Sequence, residues 1–413
     1  MIRKIFFAIT LFLFISLLPQ NASGEEFEYK HSEGDRYRII SVVNQDVFIN
    51  RRLSHSAEIL NRIAVEVTGV KDGKGQHRAV FQTSERASYA VSGRGRMQGQ
   101  RVQTGFQWTR EYDSEFERDK LGYLTIDPKY YMPVVRNVPV FPGRPLKQGE
   151  GWTAEGHEVH DFRDGFGIAE PYRIPFTAHY IFLGERQWKG ENYPAFSVMY
   201  RIDSRPQVVK GLIWPRRITG ASDQIVYWDH EQGQAIAYEE TFRLTFDLSD
   251  GRTFEFRGTA QAEILESEYM DKEKLAKEIS GEIDRLKIPD ASVRIVDEGI
   301  SISLEDIKFY PESTAMLPGE REKLDRIAEI LMRYPQRDIL VGGHTALAGT
   351  KDGRMKLSIE RAKAVTDYLL SKNVRKADRI VVRGYGAERP VADNRTEEGM
   401  RRNRRVEITI LEN

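Results

Sequence analysis

The sequence predicts a multidomain protein with a β-rich N-terminal region, built as an antiparallel sheet or sandwich, and a C-terminal α/β domain of order β-α-β-α-β-β. Three observations predict it. From Glu25 to about Ile264, short alternating or β-branched segments such as Tyr37 to Phe48, Ile63 to Val70 and Ala79 to Thr83 are separated by Gly- and Asp-containing turns. Between 269 and 287 the pattern changes to a narrow apolar stripe of Leu275, Ile279, Ile283 and Leu286 in a highly charged segment, which reads as a helix stopped by Pro289. From Gly299 onward strand-like and helix-like periodicities alternate.

The chain opens on Arg3 and Lys4, an apolar run from Ile5 to Leu18, Pro19, and a small-residue exit at Ala22, Ser23 and Gly24, the pattern of a cleavable secretory leader over 1–24. The run is shorter than the roughly 20 residues a membrane helix needs. The expected location is therefore the periplasm, with outer-membrane association compatible. Because there are no cysteines, disulfides, thiolate metal sites, a cysteine nucleophile and a lipidated N-terminal Cys are excluded. The 62 Lys and Arg balance the 62 Asp and Glu, so no global field draws the chain to nucleic acid, and any recognition must be local.

Within the β-rich region, 25–265, the clearest hairpin lies near the end. Phe242, Leu244, Phe246 and Leu248 alternate with Arg243, Thr245 and Asp247, and Ser249-Asp250-Gly251 turns the chain into Thr253 to Arg257. Pro133, Pro139, Pro142 and Pro145 interrupt any central strand and are compatible with a subdivision near residue 140. Periodicity leaves open whether this region is one large curved sheet or two stacked units. Segment 266–297 is the helical linker. In the domain at 298–413, strands are expected at Ile300 to Ile307, Ile339 to Val341, Ile380 to Arg383 and Val406 to Ile410. Leu324, Ile327, Ala328 and Leu331 form one helical face. A second helix, with Ser358 as its N-cap, carries Ala362, Val365 and Leu369 inward.

Several motifs of this last segment occur together and in order: Phe309 then Leu317-Pro318, Gly343-His344-Thr345, and Leu357-Ser358-Ile359-Glu360-Arg361-Ala362. Gly384-Tyr385-Gly386, Pro390, Asn394 and Asn403-Arg404-Arg405-Val406-Glu407 follow. In this combination the segment resembles the OmpA-like C-terminal, peptidoglycan-associating domain. The resemblance implies binding of the peptidoglycan stem peptide, with the Asp of a G-H-T-D loop and the Arg of an L-S-x-x-R-A helix gripping the two ends of diaminopimelate. The Arg is Arg361, three residues after the expected Ser358 cap, where free backbone N–H groups and the helix dipole would seat a carboxylate. The Asp position is Ala346, which can neither accept a hydrogen bond nor neutralise an ammonium. Arg354 replaces the family's loop Asn. Asp352, in the same loop, reads either as a substitute acceptor or as an ordinary loop carboxylate. The peptidoglycan-binding set expected from the sequence is thus Arg361, Thr345, Ser358, Arg405 and Asp352. Arg405 belongs to a basic run with Arg401, Arg402 and Arg404 that also reads as a solvated face, and Thr345 and Tyr385 also read as turn residues.

Other constellations carry less. His157-Glu158-Val159-His160-Asp161 misses the H-E-x-x-H spacing, and positions 157 and 160 point opposite ways in a strand, so no metal site is assigned. Gly93-Arg94-Gly95-Arg96 with Gly99 lacks the strand, helix and Lys-Ser/Thr of a phosphate loop and reads as a basic turn. Trp108, Trp152, Trp188, Trp214 and Trp228 all fall in the β-rich region and read first as packing residues. No catalytic residue and no cofactor is called for. The function expected is non-enzymatic association with peptidoglycan. The alternatives are an OmpA-like fold that has lost wall binding and contacts envelope proteins, a β-rich carrier of lipid or another apolar ligand, and a transmembrane barrel, which short charged strands disfavour.

Overall fold

The computed structural model describes residues 24–89, 101–102, 106–207, 213–266, 270–296, 298–305, 307 and 316–412. Residues 1–23 of the expected leader, the expected Gly93 to Gly99 turn and Phe309 lie outside the described residues.

The N-terminal region contains β1 (Arg36–Ile49), β2 (Arg52–Lys71), β3 (Lys74–Tyr89), the two-residue β4 (Arg101–Val102), β5 (Phe106–Arg118), β6 (Leu124–Ile126), β7 (Val135–Arg136) and β8 (Gly151–His160). A single-turn α1 (Arg163–Phe166) precedes β9 (Tyr172–Trp188), β10 (Glu191–Ser204), β11 (Pro215–Asp229), β12 (Gln234–Leu248) and β13 (Thr253–Glu266). Neighbours pair antiparallel in one unbroken series, β7-β8-β9-β10-β11-β12-β13-β1-β2-β3-β5-β6. The sandwich alternative is therefore replaced by one curved sheet. Its strands are also longer than the sequence reading allowed. β2 runs 20 residues, because Asn61 pairs within the ladder and Thr68 is taken up in a bulge between Val67 and Gly69 rather than ending it.

Curvature brings the two ends of the series together. Tyr112 and Arg110 of β5 reach Asp161, just past β8, at 2.8 and 3.2 Å. The proline-rich segment bridges the same gap: Ser114 donates to the Met132 carbonyl at 2.7 Å, and Val159 N–H donates to the Val134 carbonyl at 2.8 Å. Beyond the bridge Val140, Phe141 and Leu146 are core residues, packed with Phe27, Trp228 and Phe196 on the concave face. Four of the five tryptophans pack as expected: Trp228 and Trp188 are buried, Trp152 stacks on Tyr180, and Trp108 lies against the C-terminal sheet.

The linker helix α2 (Lys272–Arg285) is capped by Asp271, whose side chain accepts from Lys274 N–H. Its Ile279 and Ile283 enter the C-terminal core, which settles the side on which the apolar stripe docks. The remaining elements are β14 (Ala291–Val296), β15 (Gly299–Glu305), α3 (Pro318–Leu331), β16 (Ile339–Gly343), α4 (Lys351–Ser371), β17 (Ile380–Gly384), α5 (Glu397–Asn403) and β18 (Arg405–Leu411). From 299 the order is β-α-β-α-β-α-β, so a seven-residue helix separates the last two strands. The sheet order is β14-β15-β18-β16-β17, with only β16 and β17 parallel. α3 and α4 cover one face through Leu324, Ile327, Ala362, Val365 and Leu369. Among the described residues no helix is long and apolar enough to cross a membrane.

The two parts share an interface. Phe106 and Gln107 at the start of β5 pair with Val381 and Val382 and so extend the C-terminal sheet past β17. Trp108 then covers Leu340, Val381 and Leu411, on the sheet face away from the helices. Beside it Arg62 of β2, only 2% exposed, meets Asp338 at 2.9 Å and donates to the Asp378 carbonyl at 2.8 Å. Arg379 reaches the other Asp338 oxygen at 2.8 Å.

Removing one partner of a buried pair leaves an uncompensated charge. Arg62→Ala is expected to lower stability to urea by about 3 kcal/mol, with the double variant Arg62→Ala/Asp338→Ala recovering part of the loss. Additive losses in that cycle would show that the two side chains are not coupled.

Candidate functional site

β16 and β17 both end on glycine, and α4 crosses their ends. A Cβ on Gly343 would stand 1.9 Å from the Ser358 carbonyl oxygen, and one on Gly384 would stand 2.4 Å from Ile359 Cγ1 and 2.6 Å from Ser358 Oγ. Only glycine lets the helix lie this close. Ser358 Oγ donates to the Met355 carbonyl at 2.7 Å and accepts from Gly386 N–H at 3.0 Å. Thr345 N–H donates to the Gly386 carbonyl at 2.8 Å. The loop after β16, the turn after β17 and the middle of α4 are thus tied around Gly386.

This geometry corrects the role given to Ser358. α4 begins at Lys351, capped by Thr350 through Gly353 N–H, so Ser358 is an interior helical residue, fully buried, and Arg361 is not in the first turn. No breaker stronger than Gly353 separates Thr350 from Ser358, and a threonine cap with an acidic first turn favours the earlier start. The carboxylate seat expected from free N–H groups is therefore absent at Arg361. Arg361 itself is half-buried on α4.

Asp352 and Arg361 are two and a half turns apart, about 13 Å along the axis and on opposite sides of the helix. Asp352 is exposed in the first turn, so it does not join Arg361. Arg354, two full turns before Arg361, shares its face. Its guanidinium donates to the Gly349 carbonyl. Ala346 is 5% exposed, whereas its neighbour Leu347 is 60% exposed, with its N–H held by Asn394 Oδ1 at 2.9 Å.

Thr345 is buried beside this tie. Arg405, 3% exposed, is turned inward: Nε donates to Glu407 at 2.7 Å and Nη2 to the Arg389 carbonyl at 3.0 Å. It therefore does not present its guanidinium to a surface ligand. Arg401 and Arg402 of the same run lie near Glu305, at 3.5 and 3.4 Å. The sequence reading missed the residues that hold this layer. Glu407 gathers Arg405, Arg294 and, at 3.5 Å, His344. His344 stacks on Tyr385 with ring centroids 4.7 Å apart. Asn403 ties the chain at Val391, Ala392 and Asn394. The available signal was the closing run Asn403 to Glu407, whose motif hid two buried supports.

Burial lowers the His344 imidazole and the Arg405 guanidinium. Burial alone would raise the Glu407 carboxyl, but His344 and Arg405 outweigh it and hold the group down to about 2. At the motif noted around 157, His160 meets Glu158 at 2.7 Å and Glu158 accepts from Tyr200 at 2.9 Å. Among the described residues no group of three or more His, Asp or Glu side chains is arranged to hold a metal.

Two outcomes follow from this geometry. Gly343→Ala should cost about 1–3 kcal/mol in thermal or urea unfolding, because the backbone of α4 must move to admit the methyl group. Because the Glu407 carboxyl lies below its ordinary 4.5 in the fold, its contribution is complete above about pH 4.5 and is lost as pH falls toward about 2. Unfolding free energy measured across that window should therefore decline less steeply in Glu407→Gln; an unchanged slope would refute the assignment.

Residues 308–404 match the OmpA family. Over 104 residues the chain is 36% identical to the peptidoglycan-binding protein ArfA of Mycobacterium tuberculosis, covering 25% of this chain and 32% of that protein. It is 36% identical over 115 residues to outer membrane porin F of Pseudomonas aeruginosa, covering 28% of this chain and 33% of the porin. The chain thus spans about a third of the length of these relatives. Among solved structures, the cell wall anchor of the T6SS from Pseudomonas aeruginosa is 30% identical, with 34% of this chain and 99% of that one covered and a TM-score of 0.29. The C-terminal part of this chain therefore carries an OmpA-like domain.

Proposed function

We propose that the protein is a non-enzymatic attachment protein of the cell envelope, exported to the periplasm by its leader and associated there with peptidoglycan through the C-terminal domain. One observation carries this reading: the family's helix arginine, Arg361, is retained on α4, one turn from Ser358, whose Oγ accepts from Gly386 N–H in the turn that follows β17. A stem-peptide carboxylate is the ligand group it would receive. Arg354, on the same helical face, adds a second cation where the family has an asparagine. Two relatives bear names of the same kind, a peptidoglycan-binding protein and a cell wall anchor. Thr345 and Ser358 serve as positioning residues, Arg405 supports the loop from beneath, and Asp352 is solvated. No catalytic residue is assigned.

A second reading is favoured by Ala346. Its methyl group is buried where the family places a carboxylate, so an ammonium brought there would lose water without gaining an acceptor. On that reading the domain retains its fold, has given up wall binding and contacts envelope proteins instead.

Co-sedimentation of the full chain with purified sacculi separates the two. Wild-type binding that falls roughly tenfold in Arg361→Ala, a loss of about 1.4 kcal/mol, supports the first. If wild type stays in the supernatant and Ala346→Asp pellets, wall binding was lost with the carboxylate.

A further inference from the structure

The curved N-terminal sheet encloses a cavity of about 340 Å³, within the range of small-molecule sites. Strand register sorts its wall into levels. One level runs Phe81, Ile63, Ile39 and Ile264 across β3, β2, β1 and β13 and is wholly apolar. The next runs Thr83, Asn61, Ser41, Ala262 and Tyr238 across β3, β2, β1, β13 and β12 and is largely polar. Beyond it, Gln224 and Glu240 face each other on β11 and β12. The bridging segment adds Met132, Pro133, Val135 and Val138 to the apolar wall.

The polar levels are organised. Thr83 Oγ1 donates to Asn61 Oδ1 at 3.0 Å, and Ser41 Oγ and the Tyr238 hydroxyl are 3.4 Å apart. Glu240 accepts from Ser222 Oγ at 2.6 Å and Gln224 Nε2 at 3.3 Å. Burial, and after it the like charge of Glu158, raise the Glu240 carboxyl above its ordinary value against these two hydrogen bonds. Tyr238 is pushed up to about 12 by burial, yet it keeps accessible surface because it borders the cavity.

We propose that this cavity binds a single-chain amphiphile, with its hydrocarbon tail along the Phe81–Ile63–Ile39–Ile264 level and a hydrogen-bond-donating hydroxyl or ammonium head at Glu240. Burying apolar surface from the tail supplies the affinity. The carboxylate selects a head that donates and rejects one that brings a second negative charge. This proposal is independent of wall binding.

The test uses the full chain and the fluorescent probe N-phenylnaphthylamine, with dodecylamine, dodecanol and dodecanoate as competitors. Saturable probe binding is expected, displaced roughly tenfold more effectively by dodecylamine and dodecanol than by dodecanoate. Glu240→Gln should remove that preference. Ile63→Trp and Ala262→Phe, each filling the cavity, should weaken probe binding at least roughly tenfold while the circular dichroism melt stays that of wild type. Absence of saturable binding, dodecanoate as the best competitor, or undiminished binding in either filled variant that melts like wild type would overturn the proposal. If one filled variant fails to fold, the other and the competitor order in wild type still decide.

Discussion

The arrangement depends on one buried carboxylate. Asp338 sits just before β16, at the border of the C-terminal sheet, and takes one cation from its own domain, Arg379, and one from the β-rich region, Arg62. A lone carboxylate in such a place would be costly, and pairing across the interface offsets that cost only while the two parts stay together. The parallel contact of β5 with β17 acts in the same direction, because it covers an edge strand that would otherwise offer unpaired N–H and C=O groups. The interface therefore has direction as well as apolar area.

A consequence reaches the candidate site. Trp108 of β5 packs beneath the Arg383 guanidinium at 4.5 Å, Arg383 also lies 4.9 Å from the Tyr385 ring, and Tyr385 stacks on His344. His344 begins the loop that carries Thr345 and Ala346. A continuous set of ring and guanidinium contacts thus runs from the β-rich region to the loop that follows β16. Arg389 adds a contact to the same tyrosine. The loop is held from below by Glu407 and from the side by the N-terminal region, so its shape belongs to both parts of the chain.

What was legible in the sequence was mainly local. The Leu275 to Leu286 stripe, the turn at Gly251 and the order of motifs from Gly343 to Glu407 each depend on residues close in sequence, and each has its counterpart in the structure. The start of α4 was misplaced because Ser358 is a good cap by type; Thr350 lies a short way upstream with nothing strong enough to end a helix between them. Curvature and closure of the large sheet were not legible. They rest on contacts such as Tyr112 with Asp161 and Ser114 with Met132, which no periodicity encodes. The same holds for Arg62 and Asp338, far apart in the chain. The cavity was hidden for a different reason: Ser41 and Asn61 occupy the inward phase of otherwise apolar strands and look like lapses in the alternation rather than a polar level.

The chemistry of the proposed wall site follows from what replaces the missing carboxylate. Ala346 is enclosed, its neighbour Leu347 is exposed, and Arg354 and Arg361 lie on one face of α4. A zwitterionic ligand that placed its ammonium at position 346 would meet a methyl group in place of a carboxylate there, and desolvating that ammonium would work against binding. Selectivity on the proposed reading should thus shift toward stem peptides whose recognised end is a carboxylate alone. The support beneath does not shift with it: His344, Glu407, Arg405 and Asn403 hold the loop by contacts that do not involve position 346. Loop shape and ligand charge are consequently set by different residues, which is why the fold can persist while its ligand preference changes.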